Sequence, residues 1–157
     1  MKIQNLSTMS GLTRGQIDQL ISRHGIELHS KPPAGAARNF TPADSFLISL
    51  AGELHRVGLR NKEIASAVAS IIPEVDPNTF RQTEIYPGRA SLEAAGEPVF
   101  AIIVKGKDGN TVTEFSRQSD LYRKLGEIGA GTGIVVSASL IANTIEQLEK
   151  GEGANDV

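Results

Sequence analysis

The chain has 157 residues, of which 39% are hydrophobic, 22% charged and 4% aromatic, proportions typical of a globular protein with one domain or two small ones. It contains no cysteine, which excludes disulfide frameworks, thiolate zinc sites, iron–sulfur clusters and a cysteine nucleophile. The formal net charge of −2 divides into +3 for residues 1–72 and −5 for residues 73–157, and this asymmetry suggests a nucleic-acid-binding module joined to a partner domain.

The first predicted elements are two short helices. Apolar residues recur at helical spacings on both sides of a break at Ser10-Gly11: Ile3, Leu6, Leu12, Ile17, Leu20 and Ile21. Thr13 is a candidate N-cap for the second helix, and Gly25 is positioned to end it. A first helix of about one to two turns and a second of about ten residues, joined by a short connection containing Gly, have the proportions of a helix-turn-helix.

A third helix follows a segment that is rich in helix breakers. Residues 26–40 contain Lys31-Pro32-Pro33 and Gly35, so they are predicted to form two short extended segments around a tight loop. Thr41 is then a candidate N-cap, with Pro42 in the first turn and Asp44 able to reach back to the cap. The predicted helix ends at Gly58 and has one apolar face, made of Phe46, Leu47, Leu50, Leu54 and Val57.

A fourth helix is predicted over residues 61–72, ended by Pro73, and a connector with partial structure over residues 73–97, where a helix is possible near residues 91–95. The fourth helix is expected to bury Ile64, Ala65, Val68 and Ile71 or Ile72.

Residues 98–150 are predicted to form a small ββαβα domain. A hairpin turns at Asp108-Gly109, Ser119 caps a helix over residues 120–128, and a strand over residues 134–137 leads into a final helix that begins at Ala138 or Ser139. The inward residues of the two helices are expected to be Leu121, Leu125 and Ile128, then Leu140, Ile141, Ile145 and Leu148. Such a domain is near the lower size limit for an independent core, so it is expected to use a partner surface. Residues 151–157 are predicted to be a disordered tail.

Three groups of residues in the first half carry a resemblance to a known family. One group comprises Ile3, Leu6, Gly11, Leu12 and Ile17; the second is the run Gly35-Ala36-Ala37-Arg38-Asn39-Phe40-Thr41-Pro42-Ala43-Asp44; the third is Leu54-His55-Arg56-Val57-Gly58-Leu59 with Glu63-Ile64. Residues 1–72 thereby resemble the DNA-binding domain of the MerR family of bacterial transcription regulators, whose helix pair, wing and paired-helix segment occur in this order. The resemblance implies a winged helix-turn-helix over residues 1–72. Together with the ββαβα domain predicted from the patterns of residues 98–150, it gives an α+β protein.

The resemblance also implies a DNA interface. The second helix, residues 14–23, would enter the major groove, where Arg14 suits guanine, Gln16 and Gln19 suit adenine, and Asp18 suits cytosine. Arg38 at the wing and the start of the fourth helix would meet phosphates. The candidate DNA-binding residues are Thr13, Arg14, Gln16, Asp18, Gln19, Arg23, Arg38, Asn39, Arg60, Asn61 and Lys62.

The chain also departs from the MerR pattern. Gly15, Gln19 and Leu20 stand where the family often has a basic residue and two aromatics, so the operator is expected to differ. The long dimerising coiled coil is replaced by the proline-rich connector, so dimerisation is expected to come from elsewhere. The absence of cysteine excludes the metal and oxidant sensing of the family.

Other sites have weaker support, and no cofactor or metal is expected. His24, His29 and His55 lack the spacing of a metal site, and Gly129–Gly133 reads as a turn because it lacks the Lys-Ser/Thr of a phosphate loop. Ser137 and Ser139 have no histidine in the same half of the chain. Without a convergent acid, base and nucleophile, an enzyme is the least expected class.

The predicted function is that of a sequence-specific transcription regulator that binds double-stranded DNA as a homodimer, with a possible protein partner on the acidic C-terminal domain. The alternatives are an architectural or recombination protein of a phage or mobile element, similar to excisionases or small terminase subunits, and a protein-binding adaptor.

The longest apolar stretch, residues 134–142, is far shorter than the roughly 20 residues that span a bilayer. The start of the chain does not resemble a signal peptide, so no membrane partner and a cytoplasmic, nucleoid-associated location are expected.

Overall fold

Six α-helices and a three-stranded antiparallel sheet make up the described part of a computed structural model, namely residues 1–28, 38–71, 97–128 and 133–154, with side chains up to residue 151. The helices are α1 (Ile3–Ser10), α2 (Arg14–Ser22), α3 (Pro42–Arg56), α4 (Asn61–Ala69), α5 (Leu121–Ile128) and α6 (Ala138–Ala154). The strands are β1 (Val99–Lys105), β2 (Thr111–Arg117) and β3 (Gly133–Ser137). The expected α+β class is confirmed. Residues 73–96 of the predicted connector at 73–97, His29 and the first part of the predicted wing lie outside the described residues.

The predicted starts of α2 and α3 are confirmed, because each has a reciprocal capping box. The Thr13 hydroxyl accepts from the backbone N–H of Gln16, whose side chain accepts from the backbone N–H of Thr13. Thr41 and Asp44 make the same exchange at the start of α3. Gly11 ends α1 with a φ of 69°, a left-handed conformation that glycine adopts without steric cost.

From Ala43 to Gly52 the third helix is buried on all sides and not on one face only, which corrects the expected amphipathic pattern. All residues from Ala43 to Gly52 are buried, including Asp44, Ser45 and Ser49, because α3 lies between α1, α4, α6 and the sheet. Val57, expected in the apolar face, follows the helix and is 56% exposed. The Phe46 ring packs against Phe115 of β2, with ring centroids 6.4 Å apart.

A close approach of α1 to α3 depends on Gly52. A Cβ atom built on this residue would lie 2.1 Å from the backbone oxygen of Ser10, well inside any allowed contact. The end of α1 therefore rests directly on the backbone of α3, and glycine is the one residue type that permits this spacing.

The fourth helix is shorter than expected. It ends at Ala69 and not at residue 72, with Ser70 as its C-cap. Ile64, Ala65 and Val68 are buried as predicted, and Ile71 is buried just beyond the helix end. Residue 72 lies outside the described part of the chain.

The sheet has the strand order β2-β1-β3, so β1 is central. The hairpin turns where expected, with Gly109 at a φ of 81° and the Gly106 N–H donating to the Asn110 carbonyl at 2.7 Å. One sheet face, which includes Val99, Ala101 and Ile103, joins the hydrophobic core of α1 to α4 and α6. The two halves thus share one continuous core in the described residues.

The remaining helices differ in detail from the prediction. Ser119 does not cap α5: it lies in a short 3-10 turn, Gln118–Asp120, and its hydroxyl donates to Glu97 at 3.1 Å. The predicted inward residues Leu121, Leu125 and Ile128 are only half-buried, because α5 lies on the far face of the sheet, away from the main core.

The last helix buries two of its four predicted inward residues, Ile141 and Ile145. The other two are not in the core, because Leu140 is 66% exposed and Leu148 is half-buried. Ala138 and Ala142 pack in the core instead. This helix runs to Ala154, inside the segment that was expected to be a disordered tail.

Candidate nucleic-acid interface

The start of α2 is held by contacts that use one of the candidate base-reading residues. The Gln16 side-chain oxygen accepts from the Thr13 N–H at 2.8 Å and from the Thr13 hydroxyl at 3.0 Å. Its side-chain nitrogen lies 3.2 Å from Nε2 of His55, to which it donates when that ring nitrogen carries no proton. Both ends of the Gln16 amide are therefore engaged within the chain.

The outer face of α2 is polar and exposed. Ile17 and Leu20 are buried and hold the helix on the core, while Arg14, Asp18, Gln19 and Arg23 face away from it. Arg14 and Asp18 are spaced one turn apart with their charged atoms 3.9 Å apart, and their side chains are 77% and 59% exposed. An exposed ion pair of this kind contributes little to stability, so the Arg14 guanidinium can exchange Asp18 for another partner at small cost.

Two basic side chains that the candidate site omitted lie beside this face. His55 meets Gln16 as described, and a Cβ atom on Gly11 would lie 3.6 Å from Nη2 of Arg56. The Arg56 guanidinium thus lies near the α1–α2 turn, where it also pairs with Glu53 at 3.1 Å. In the sequence, His55-Arg56 appears only as a basic last turn of α3, a common feature of helix ends. Nothing in its spacing reveals its proximity to α2.

The start of α4 forms a second polar surface, next to the β1–β2 hairpin. Arg60, Asn61 and Lys62 begin the helix, and Arg60 and Lys62 line a shallow groove with Asp108 and Asn110. Asn110 donates to Asp108 through its backbone N–H at 3.0 Å and through its side-chain amide at 2.8 Å, and these bonds lower the pKa of Asp108. The ionised Asp108 opposes the attraction of this groove for phosphate.

Glu63 anchors the same helix start. Its carboxylate accepts from the Arg60 N–H at 3.0 Å and from Nζ of Lys105 at 3.3 Å. The backbone bond from Arg60, followed by the bond from Lys105, lowers the pKa of Glu63 below its ordinary value. The first turn of α4 is therefore tied to β1 by a charged pair.

Arg38 and Asn39 lie near the start of the chain. The next residue, Phe40, pairs with Met1: the terminal amino group donates to the Phe40 carbonyl at 2.8 Å, and the Phe40 N–H donates to the Met1 carbonyl at 3.0 Å. Arg38 is half-buried and Asn39 is exposed.

The structure thus brings Gln16 of the candidate site together with the end of α3. In the described residues, no hydrogen bond or ion pair joins α2 to residues 38–39 or to the start of α4.

The described residues hold neither a metal-binding cluster nor a membrane-spanning helix. They contain no group of three or more His, Asp or Glu side chains arranged to hold a metal ion, and His29 lies outside them. No described helix combines the length and the apolar composition needed to span a bilayer.

No protein-family model matches this chain, and no curated protein matches it significantly. The resemblance of residues 1–72 to the MerR family therefore stays an expectation that rests on motif order.

Proposed function

We propose that this protein is a sequence-specific, DNA-binding transcription regulator that acts as a homodimer and reads the major groove with α2. The observation that carries the proposal is the polar outer face of α2, which packing does not explain. Ile17 and Leu20 attach the helix to the core, and a capping box stabilises its start. The opposite face presents Arg14, Asp18 and Gln19 to solvent.

The chemistry of that face suits base edges. An Arg pairs with the O6 and N7 atoms of guanine, a Gln with the N6 and N7 atoms of adenine, and an Asp accepts from the amino group of cytosine. Arg14 and Gln19 are the main reading residues in this proposal. Gln16 has a positioning role, because its amide already bonds Thr13 and contacts His55.

The basic side chains around α2 would bind phosphates and fix the position of the helix. Arg56 lies near the turn that precedes α2 and would place a cation beside the DNA major groove that α2 enters. Lys62, Arg60 and the backbone N–H groups of the first turn of α4 would supply a second contact, and Arg38 a third. These contacts would add affinity for any sequence, with an ionic-strength dependence that grows with their number.

The experiment begins with a duplex selected from random DNA by binding to the full chain. Fluorescence anisotropy titrations then compare this duplex with a scrambled one at two salt concentrations. Arg14→Ala and Gln19→Ala are each expected to weaken binding to the selected duplex by about 1–3 kcal/mol and to relax base preference. Lys62→Ala is expected to weaken both duplexes alike and to reduce the salt slope by about one unit.

Arg123→Ala is the matched control for Arg14→Ala. Arg123 is also an exposed helical arginine with an acidic partner one turn away, Glu127 at 2.6 Å, but it lies on α5. Its replacement is expected to leave DNA affinity unchanged. Equal and salt-insensitive binding of all duplexes would overturn the proposal. Bending of phased sites without base preference would favour the architectural alternative.

A further inference from the structure

The two edges of the sheet differ in how their backbone groups are used. On the β2 edge, the Ser66 hydroxyl of α4 donates to the Thr111 carbonyl at 2.9 Å and accepts from the Thr111 N–H at 3.1 Å. The Ser70 hydroxyl accepts from the Thr113 N–H at 2.8 Å. These hydroxyl groups satisfy the outward N–H and C=O of Thr111 and the outward N–H of Thr113, so α4 covers the first part of this edge and blocks a further strand from pairing there.

The β3 edge has no such cover among the described residues. Backbone groups alternate in direction along an antiparallel strand. Since Thr113 points away from β1, its partner Ile103 points toward β3 and bonds Ile134. Val135 must then direct its N–H and C=O outward, and no described residue bonds them.

The composition of this edge also lacks the usual protection. Residues 133–145 contain no charged side chain and no proline, although residues 73–157 carry a net charge of −5. Edge strands of monomeric proteins are commonly blunted by charge or proline. Val135 is 42% exposed and Leu140, just after the strand, is 66% exposed. Two copies can meet here without bringing like charges together.

We propose that β3 pairs with β3 of a second copy, antiparallel about a two-fold axis at Val135, to form one six-stranded sheet. The five residues of β3 are self-complementary about Val135, whose N–H and C=O would bond those of the partner's Val135. Because α4 covers Thr111 and Thr113 on the β2 edge, the assembly stops at the dimer and does not extend into a fibre. The inference rests on the homodimer of the proposed function, and its tests use the full chain without DNA.

The first test is sedimentation velocity over a range of concentrations. Wild-type protein is expected to sediment with twice the chain mass, and Val135→Lys with one chain mass, since two lysines would face each other at the axis. Val112→Lys is the matched control: Val112 is 37% exposed on the same sheet face but on the closed β2 strand, and its variant should remain dimeric. A monomeric wild type, or a dimeric Val135→Lys, would overturn the inference.

The second test uses the absence of cysteine from the chain. In the proposed pairing the two Cα atoms of residue 135 lie about 5.5 Å apart, within the roughly 4.4–6.8 Å range of a disulfide. Mild oxidation of Val135→Cys should therefore give a covalent dimer, and Val112→Cys should give little. The Val135→Cys variant introduces no charge at residue 135, so it tests the interface even if Val135→Lys does not fold. Equal cross-linking at both positions would contradict the pairing.

The two tests separate this inference from DNA binding. If the protein dimerises without DNA but shows no base preference, the proposed function is wrong and the β3 interface stands. If it binds DNA with base preference but stays monomeric at every concentration, only the β3 interface is wrong.

Discussion

The helices α2 and α3 start with the same capping chemistry but differ in what surrounds them. Both begin with a threonine whose hydroxyl and backbone exchange bonds with the third helical residue. The α3 helix is then enclosed by other elements, so even Asp44 and Ser45 are buried. The α2 helix buries only Ile17 and Leu20 and leaves its outer face in solvent.

This difference separates residues whose identity is explained by packing from residues whose identity is not. Almost every side chain of α3 has a packing role, so its identity is explained by the fold. The outer residues of α2 have no packing role, and surface substitutions of this kind change stability by only about ±0.5 kcal/mol. Substitutions on α3 should therefore lower the free energy of unfolding, and substitutions on the outer face of α2 should leave it nearly unchanged.

The largest effect is expected from Phe46→Ala on α3. Phe46 is 1% exposed and packs against Phe115, so its truncation leaves a cavity where the helix meets the sheet. Urea denaturation should show a loss of about 3–5 kcal/mol in the free energy of unfolding. Gln19→Ala on α2 is the control and should change it by less than about 0.5 kcal/mol. Similar losses for both variants would show that the two helices do not differ in this way.

A pair of glycine replacements should give effects of opposite sign. Gly52→Ala places a methyl group against the Ser10 carbonyl and should destabilise the fold by about 1–3 kcal/mol or more. Gly15→Ala on α2 meets nothing within 4 Å and should stabilise it by about 0.4–1 kcal/mol, since alanine loses less backbone entropy in a helix. Thermal unfolding of the two variants checks both signs. A stabilised Gly52→Ala would refute the close contact between α1 and α3.

Replacement of the two threonine N-caps should give stability losses that differ less than those of the glycine pair. Removal of a threonine cap costs about 0.5–2 kcal/mol. Thr41→Ala should lie near the upper end of this range, because it removes a partner of the fully buried Asp44. Thr13→Ala should lie near the lower end, because the start of α2 is exposed and water can bond the freed N–H. Urea denaturation ranks the two, and the reverse ranking would contradict the difference in burial.

The smallest effect is the pH dependence of stability at the start of α4, where the Glu63 carboxylate accepts from the Arg60 N–H and from Lys105. Its pKa is lowered in the folded protein, chiefly by the Arg60 N–H and then by Lys105. A lowered carboxyl pKa contributes stability that is present above the unfolded-state value and lost as the pH falls through the folded-state value. Wild type should therefore exceed Glu63→Gln slightly in stability at neutral pH and lose this advantage below about pH 4. A difference that is constant from pH 3 to pH 7 would exclude this origin.

Local patterns predicted the parts of the fold that depend on neighbouring residues in the chain. Thr13 and Thr41 were identifiable as caps, and Asp108-Gly109 as a hairpin turn, because these signals act over a few residues. The outward positions of Arg14, Asp18 and Gln19 also agree with the helical period, which places Ile17 and Leu20 on the opposite face.

Other assignments failed because they depend on long-range packing. Leu140 and Ala138 fit a helical period equally well, and only the position of α6 against α3 and β1 decides that Ala138 is buried and Leu140 exposed. The end of α4 at Ala69 was also missed. The Ser70 hydroxyl, just beyond this end, accepts from the Thr113 N–H of β2, and the local sequence pattern does not specify this contact.

The amino-acid sequence by itself determined the starts of α2 and α3, the hairpin turn, the basic and acidic halves and the polar face of α2, since all of these follow from local chemistry. Only the tertiary structure decided that α3 is buried on every side from Ala43 to Gly52, that Gln16 is engaged with His55, and that α4 covers one sheet edge while β3 keeps the other uncovered in the described residues. The contacts of Gln16 with His55 and of Ser66 with Thr111 join residues 39 and 45 positions apart, and no local spacing specifies which distant surfaces meet.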